Sequence, residues 1–114
     1  MMSVAPSNSI PVVTNGQNNS EESETPIETI VIDPDATLVE LIACRLRVID
    51  GLDGLTQVET LNLRQNLLET IENISHLITL KHLDLYDNHI TRIEGLLELI
   101  KLKHLDLSFS KISI

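Results

Sequence analysis

One pattern recurs every 22 residues through the second half of this chain, and it limits the possible folds more than any other feature. With a unit numbered 1 to 22, aliphatic residues fall at positions 1, 4, 6, 11, 14, 17 and 20, and a small polar residue stands at 9. Val58, Leu61, Leu63, Asn66, Leu68, Ile71, Ile74 and Leu77 fill this frame once. Leu80, Leu83, Leu85, Asn88, Ile90, Ile93, Leu96 and Leu99 fill it again, and Leu102, Leu105, Leu107, Ser110 and Ile112 begin a third pass. Counting back gives a weaker first copy: Ala36, Val39, Leu41, Cys44, Leu46, Ile49, Leu52 and Leu55. A unit this short cannot bury its own apolar edge, so such units stack, and the stack offers a surface for binding more than a pocket for chemistry.

Within each unit, positions 2 to 7 read as a short strand, with 4 and 6 directed into the core and 3, 5 and 7 outward. Apolar spacing of three at positions 11, 14, 17 and 20 predicts a 3₁₀ or short helical segment on the opposite side. Cys44, Asn66, Asn88 and Ser110 then form a column at position 9, where a small polar side chain bonds backbone groups that the bend leaves unpaired. Leu-x-Leu followed by Asn or Cys resembles the leucine-rich-repeat consensus. The predicted fold class is α/β: a right-handed leucine-rich-repeat solenoid with parallel strands on the concave side, as a truncated array. Its repeats are 36–57, 58–79, 80–101 and an incomplete 102–114. Such an array is expected to be weakly stable, because little more than three units barely offset chain entropy.

The chain before the repeats differs in character. Residues 1–26 are rich in Ser, Asn, Thr and Pro with an acidic cluster at Glu21–Glu24, and are expected to be a disordered tail. Residues 27–33 alternate and are β-branched, which suits a short strand, and the segment 27–35 is expected to cap the first repeat. Ser20, Ser23 and Thr25 have neighbours that suit phosphorylation, and Asn18 and Asn73 head N-x-S sequons; both kinds of motif are common by chance.

Net charge is −9, and residues 1–35 hold six acids and no Lys or Arg. A chain this acidic, with one Phe and one Tyr, lacks both the positive field and the stacking platforms that nucleic acid requires. No run reaches the ~18 consecutive apolar residues of a membrane span, and no secretory signal is evident at the N-terminus, so an intracellular protein is expected. Cys44 is alone and has no basic neighbours to activate it, so it reads as a packed thiol. No Gly-rich phosphate loop, His-Glu-x-x-His or nucleophile elbow is present, and the expectation is a protein that is not an enzyme, with no cofactor and no small-molecule substrate.

Projecting the outward strand positions gives the candidate binding grid. Position 3 reads Leu38, Thr60, His82, His104; position 5 reads Glu40, Asn62, Asp84, Asp106; position 7 reads Ile42, Arg64, Tyr86, Ser108, and Phe109 follows at position 8. Lys-His-Leu-Asp-Leu occurs twice, at 81–85 and 103–107, so stacking sets His82 beside His104 and Asp84 beside Asp106. Two imidazoles and two carboxylates are a donor set for a divalent cation. An open wall lacks the supporting shell such sites use, and a duplicated repeat with a solvated face is the favoured account. His76 and His89 fall in turns and read as ordinary surface residues.

Several stretches go beyond the generic consensus: Thr-Leu-Asn-Leu-Arg-Gln-Asn at 60–66, Ile-Glu-Asn-Ile at 71–74, Leu-Asp-Leu-Tyr-Asp-Asn at 83–88, Ile-Glu-Gly-Leu at 93–96 and Leu-Asp-Leu-Ser-Phe at 105–109. With the lead-in Glu-Thr-Ile-Val-Ile-Asp, they resemble the leucine-rich-repeat regulatory subunits of protein phosphatase 1, over about residues 28–114. That resemblance implies a non-catalytic partner of the phosphatase catalytic subunit, nuclear and cytoplasmic, acting in chromosome segregation and phosphatase maturation. It further implies binding along the concave wall of a much longer array, without reliance on a short linear docking motif; no Arg/Lys-Val-x-Phe sequence occurs here either. The implied contacts are Asp84, Tyr86, Asp106 and Phe109, with Arg64, His82 and His104 beside them on the grid. Ser110 departs from the family pattern, which has Asn at that place, and the array stops at position 13 of its fourth unit. A generic leucine-rich-repeat scaffold (cytoskeletal, ciliary or splicing adaptor) and a fragment of a longer protein are the alternatives.

Overall fold

A computed structural model describes residues 9–11 and 29–113. It contains six three-residue strands: β1 (Ser9–Pro11), β2 (Thr29–Val31), β3 (Leu38–Glu40), β4 (Thr60–Asn62), β5 (His82–Asp84) and β6 (His104–Asp106). The last four form one parallel sheet in the order β3-β4-β5-β6. Its register is the repeat itself: Leu38, Thr60, His82 and His104 are successive partners, and so are Val39, Leu61, Leu83 and Leu105. The chain is a leucine-rich-repeat solenoid, with the leucine column that the 22-residue period requires.

The strands are shorter than the six positions read from sequence, but the backbone ladder runs well past them. Glu59 and Thr60 N–H both donate to Thr37 C=O, and Lys81 and His82 N–H to Glu59 C=O. At the other end Leu63 N–H donates to Asp84 C=O and Gln65 N–H to Tyr86 C=O, a pattern repeated by Leu41, Ala43, Leu85 and Asp87. Each unit therefore satisfies its backbone mainly through the next one. Alternation holds as read: Val39, Leu61 and Leu83 are buried, while His82 and His104 are exposed.

The wall opposite the sheet contains no helical run among the described residues. Single turns with three-residue closures take its place, Leu55 to Leu52, Leu77 to Ile74, Leu80 to Leu77 and Leu99 to Leu96. Apolar residues spaced by three still bury one edge this way, and Leu52, Leu55, Ile74, Leu77 and Leu99 all lie in the core. Backbone conformation repeats as faithfully as the leucines. Position 8 is left-handed in all four units (Ala43, Gln65, Asp87, Phe109), and position 16 is left-handed at Gly51, Asn73 and Gly95. Gly95 also makes a close approach: a Cβ there would sit 2.9 Å from Ile71 C=O, in the preceding unit. Gly54, which the sequence also places in the outer loops, has no such conformation.

Where position 8 turns the chain, the position-9 side chain is driven inward. Asn66 Oδ1 accepts Cys44 N–H at 2.9 Å and Leu46 N–H at 3.0 Å, and its Nδ2 donates to Leu41 C=O at 2.8 Å and Leu63 C=O at 2.9 Å. Asn88 repeats this one unit on, with Leu68 N–H, Leu63 C=O and Leu85 C=O. Cys44 contributes only a thiol contact to Ile42 C=O, and burial pushes that thiol up from its ordinary value, which keeps it protonated at neutral pH. Ser110 is a weak rung: its Oγ is buried without a hydrogen-bond partner.

At the N-terminal end, β2 does not extend the ladder. It pairs antiparallel with β1, in a sheet separate from the solenoid, and Ile32 and Ala36 are the residues there that pack on the core. Ser9–Pro11, read from sequence as part of the tail, is thus in a strand. The rest of the expected tail, including Ser20, Ser23, Thr25 and the Asn18 sequon, lies outside the described residues. At the opposite end burial falls away: Leu105 is 37% exposed where Leu61 and Leu83 are 0%.

Replacing Ser110 by Asn supplies the missing acceptor and donors. By homology with Asn88, the carboxamide would reach Ile90 N–H and Leu85 C=O, and the chain should gain about 1 kcal/mol. Urea unfolding of the Ser110→Asn protein checks this through a raised midpoint at unchanged slope.

Candidate protein-binding face

The outward strand positions of β4, β5 and β6 come together as one continuous wall. Arg64, His82, Asp84, Tyr86, His104, Asp106 and Phe109 all stand on or beside it, as the repeat register dictates. Two sub-regions are distinct. Along position 3, the His82 and His104 rings lie 5.2 Å apart, tilted by 35°. Along positions 7 and 8 runs a chain of three π or cationic groups: the Arg64 guanidinium carbon is 4.3 Å from the Tyr86 ring centroid, and Tyr86 meets Phe109 edge-on at 5.3 Å. Such cation–π contacts contribute about 0.5–1 kcal/mol at exposed sites. They hold long side chains in one geometry, which lowers the entropy cost of meeting a partner.

Position 5 carries a role the sequence reading missed. Asn62 Oδ1 accepts Arg64 N–H at 3.2 Å, Asp84 Oδ1 accepts Tyr86 N–H at 3.0 Å, and Asp106 Oδ1 accepts Ser108 N–H at 2.9 Å. Each is a side chain closing a turn two residues ahead, and it aims the position-7 side chain along the wall. Asp84 and Asp106 thus build the face besides charging it. The signal was present in the column Asn62, Asp84, Asp106, all residues that make this turn.

Asp84 has its second oxygen 3.6 Å from Arg64 Nε, across neighbouring strands. Asp106 is held below the usual carboxylate range, chiefly by the Ser108 backbone N–H and then its hydroxyl; partial burial opposes this, and Arg64 and His82 add weaker attraction. No group of three or more His, Cys, Asp or Glu that could hold a metal ion converges among the described residues. One oxygen of each carboxylate already serves its own backbone.

Phe109 combines two unusual properties. It is 71% exposed, and its φ is 60°. The position requires a left-handed backbone, which costs a bulky L-residue about 1–2 kcal/mol. Ala43, Gln65 and Asp87 fill the same place in the other units, so packing does not demand an aromatic ring there.

Away from the wall, the turn residues are tied more firmly than their sequence context indicated. His76 Nε2 donates to Leu52 C=O at 2.9 Å, and Asn73 Nδ2 donates to Ile49 C=O at 2.6 Å. Both bonds cross to the preceding unit. They make His76 structural, and they engage the nitrogen that glycosylation of the Asn73 sequon would need.

Residues 78–114 match the family of leucine-rich repeats, as two copies. The chain is also similar to proteins named protein phosphatase 1 regulatory subunit 7. The Danio rerio protein is 46% identical over 49 residues, covering 43% of this chain and 14% of that protein. The Xenopus tropicalis protein is 47% identical over 62 residues, 53% of this chain and 18% of its own length. The Homo sapiens protein is 47% identical over 58 residues, 49% of this chain and 16% of its own length. The chain spans only a small part of each of these relatives.

The Asp106 geometry predicts a pH effect with a definite sign. A carboxyl held below its unfolded value contributes stability above the ordinary carboxylate range, and that stability is lost as pH falls through the lowered value. Asp106→Asn keeps an Oδ1 acceptor for Ser108 N–H and removes the titration. Between pH 6 and pH 3 the urea midpoint of the parent chain should fall further than that of the variant.

Proposed function

We propose that this chain acts as a non-catalytic regulatory or targeting subunit of protein phosphatase 1, and that its strand-bearing wall is the surface that meets the catalytic subunit. The observation carrying this reading is the similarity, at 46–47% identity, to regulatory subunits from three vertebrates. The geometry is in keeping with it. A wall with a cation, two aromatic rings and two carboxylates arranged in register suits protein recognition, since exposed aromatic and Arg side chains supply most of the energy at such interfaces. Nothing on it resembles a cleft that excludes water, which catalysis of acyl or phosphoryl transfer needs.

On this reading Tyr86 is the anchor. It is half-buried against Arg64 and Phe109, so its ring is already ordered before a partner arrives. Asp84 positions it through the Tyr86 N–H, and Phe109 extends the apolar contact toward the last strand. His82 and His104 line the opposite margin of the wall, and Asp106 supplies negative charge between them and Phe109. The complex would act in the nucleus and cytoplasm, with the phosphatase supplying the chemistry and this chain the placement.

Binding of purified phosphatase catalytic subunit to the immobilised chain tests the proposal. Tyr86→Ala and Phe109→Ala should each weaken the complex by about tenfold or more, near the 2 kcal/mol that marks an interface anchor. Leu97→Ala, an exposed residue off this wall, should leave it unchanged. Equal binding by all three variants, or no binding by the parent chain, would defeat the reading.

A further inference from the structure

Position 15 of the repeat reads Asp50, Glu72 and Glu94, and position 16 reads Gly51, Asn73 and Gly95. The first unit thus sets Asp before Gly where the next two carry a longer acid. Asp50 is exposed, and its Oδ1 accepts the Gly51 N–H at 2.9 Å. Among the described residues Gly51 is the one glycine whose N–H meets the side chain just before it. Its φ is 82°, in the left-handed region that glycine adopts freely, and it has no side chain to shield its nitrogen. Asp50 Cγ, bonded to the accepting oxygen, therefore lies within reach of the Gly51 nitrogen and is open to water.

We propose that Asp50–Gly51 is a site of backbone isomerisation, where the aspartyl link becomes an isoaspartyl link through a cyclic imide. The Gly51 nitrogen gives up its proton and attacks Asp50 Cγ; a C–N bond forms, and one carboxyl oxygen leaves as water. A nucleophile held beside its electrophile reacts faster because the orientation is already set. Water then adds to one of the two ring carbonyls. Addition at Cγ restores the original link. Addition at the main-chain carbonyl breaks its bond to nitrogen, so the chain now runs through Cβ and Cγ, and the former main-chain carbonyl is a free carboxylate. One water is released and one is taken up, with no change of mass and no further reactant.

Other acid–glycine pairs in the chain supply the contrast. Asp53–Gly54 is the same dipeptide, but both residues sit inside a turn closed by Leu55 N–H on Leu52 C=O, and Gly54 is not left-handed. Glu94–Gly95 has the same kind of glycine, with φ 74°, yet its longer acid has to close a larger ring, which is slower. The product bears on the fold as well. The lengthened main chain falls between Ile49 and Leu52, both buried, whose carbonyls accept Asn73 Nδ2 and His76 Nε2 from the second unit. Isomerisation loosens the first unit from the second, and the new carboxylate is a substrate for a methyltransferase that acts on isoaspartyl groups. The inference does not rest on the phosphatase reading.

Ageing the full chain at neutral pH and body temperature, followed by trypsin digestion, tests it. Both Asp-Gly pairs fall in the peptide from Val48 to Arg64, and electron-transfer fragmentation splits the Cα–Cβ bond of an isoaspartyl residue, which tells the two positions apart. Isoaspartate should accumulate at Asp50 about tenfold or more faster than at Asp53, since a small misplacement of reacting atoms costs at least that much in rate. In guanidinium chloride the two positions should react at similar rates. Asp50→Glu copies the residue of the next two units and should keep the parent's circular dichroism; on ageing, its urea midpoint should hold while that of the parent falls. The proposal is overturned if the folded chain forms no isoaspartate at Asp50 or as much at Asp53, if the preference survives denaturation, or if both midpoints fall alike.

Discussion

The structure depends on one constraint: no repeat can satisfy its own backbone. Three residues of strand and one bent loop leave N–H and C=O groups that only the neighbouring unit can reach. Leu63 and Gln65 donate forward to Asp84 and Tyr86, while Asn66 and Asn88 reach backward to the carbonyls of Leu41 and Leu63. Burial follows the same rule. Leu61 and Leu83 are inaccessible with a unit on each side of them, and Leu105, with one neighbouring unit among the described residues, is 37% exposed. Stability in such a stack is a sum of nearest-neighbour terms, so its ends are its weakest parts.

The leucine register was legible because period and burial are the same fact seen twice. A side chain that recurs every 22 residues at a strand position must stack on its copies, and Leu61, Leu83 and Leu105 do. The inward turn of Asn66 and Asn88 was legible for a similar reason, since a polar residue in an apolar column needs backbone partners. Roles that depend on local geometry were harder to see. Asp84 and Asp106 look like surface charge until their Oδ1 atoms are found closing turns onto Tyr86 and Ser108. Asn73 looks like a sequon until its left-handed backbone and its bond to Ile49 put it in the same place as Gly51 and Gly95. The outer segments were expected to be 3₁₀ or short helical, and they are built from separate three-residue closures of the 3₁₀ kind without a continuous helical run. The antiparallel pairing of β2 with Ser9–Pro11 left no periodic trace at all.

The candidate binding wall arises from the same repetition. Duplicated units place like residues side by side, and the places where they differ give the wall its character. Arg64 and Tyr86 occupy one column and differ by one unit, which is why a guanidinium lies over a phenol ring. Phe109 departs from Ala43, Gln65 and Asp87 in a column whose backbone disfavours it. The position-5 side chains close the turns that set the position-7 side chains along the wall.

Amide hydrogen exchange tests most directly whether neighbouring units hold each other's backbone. The N–H groups of Leu41, Ala43, Leu63, Gln65, Leu85 and Asp87, each bonded to the unit that follows, should be the slowest to exchange and should recur at the repeat spacing. Exchange at these sites as fast as at the exposed Leu97, or protection without that period, would contradict a structure built from units that complete one another.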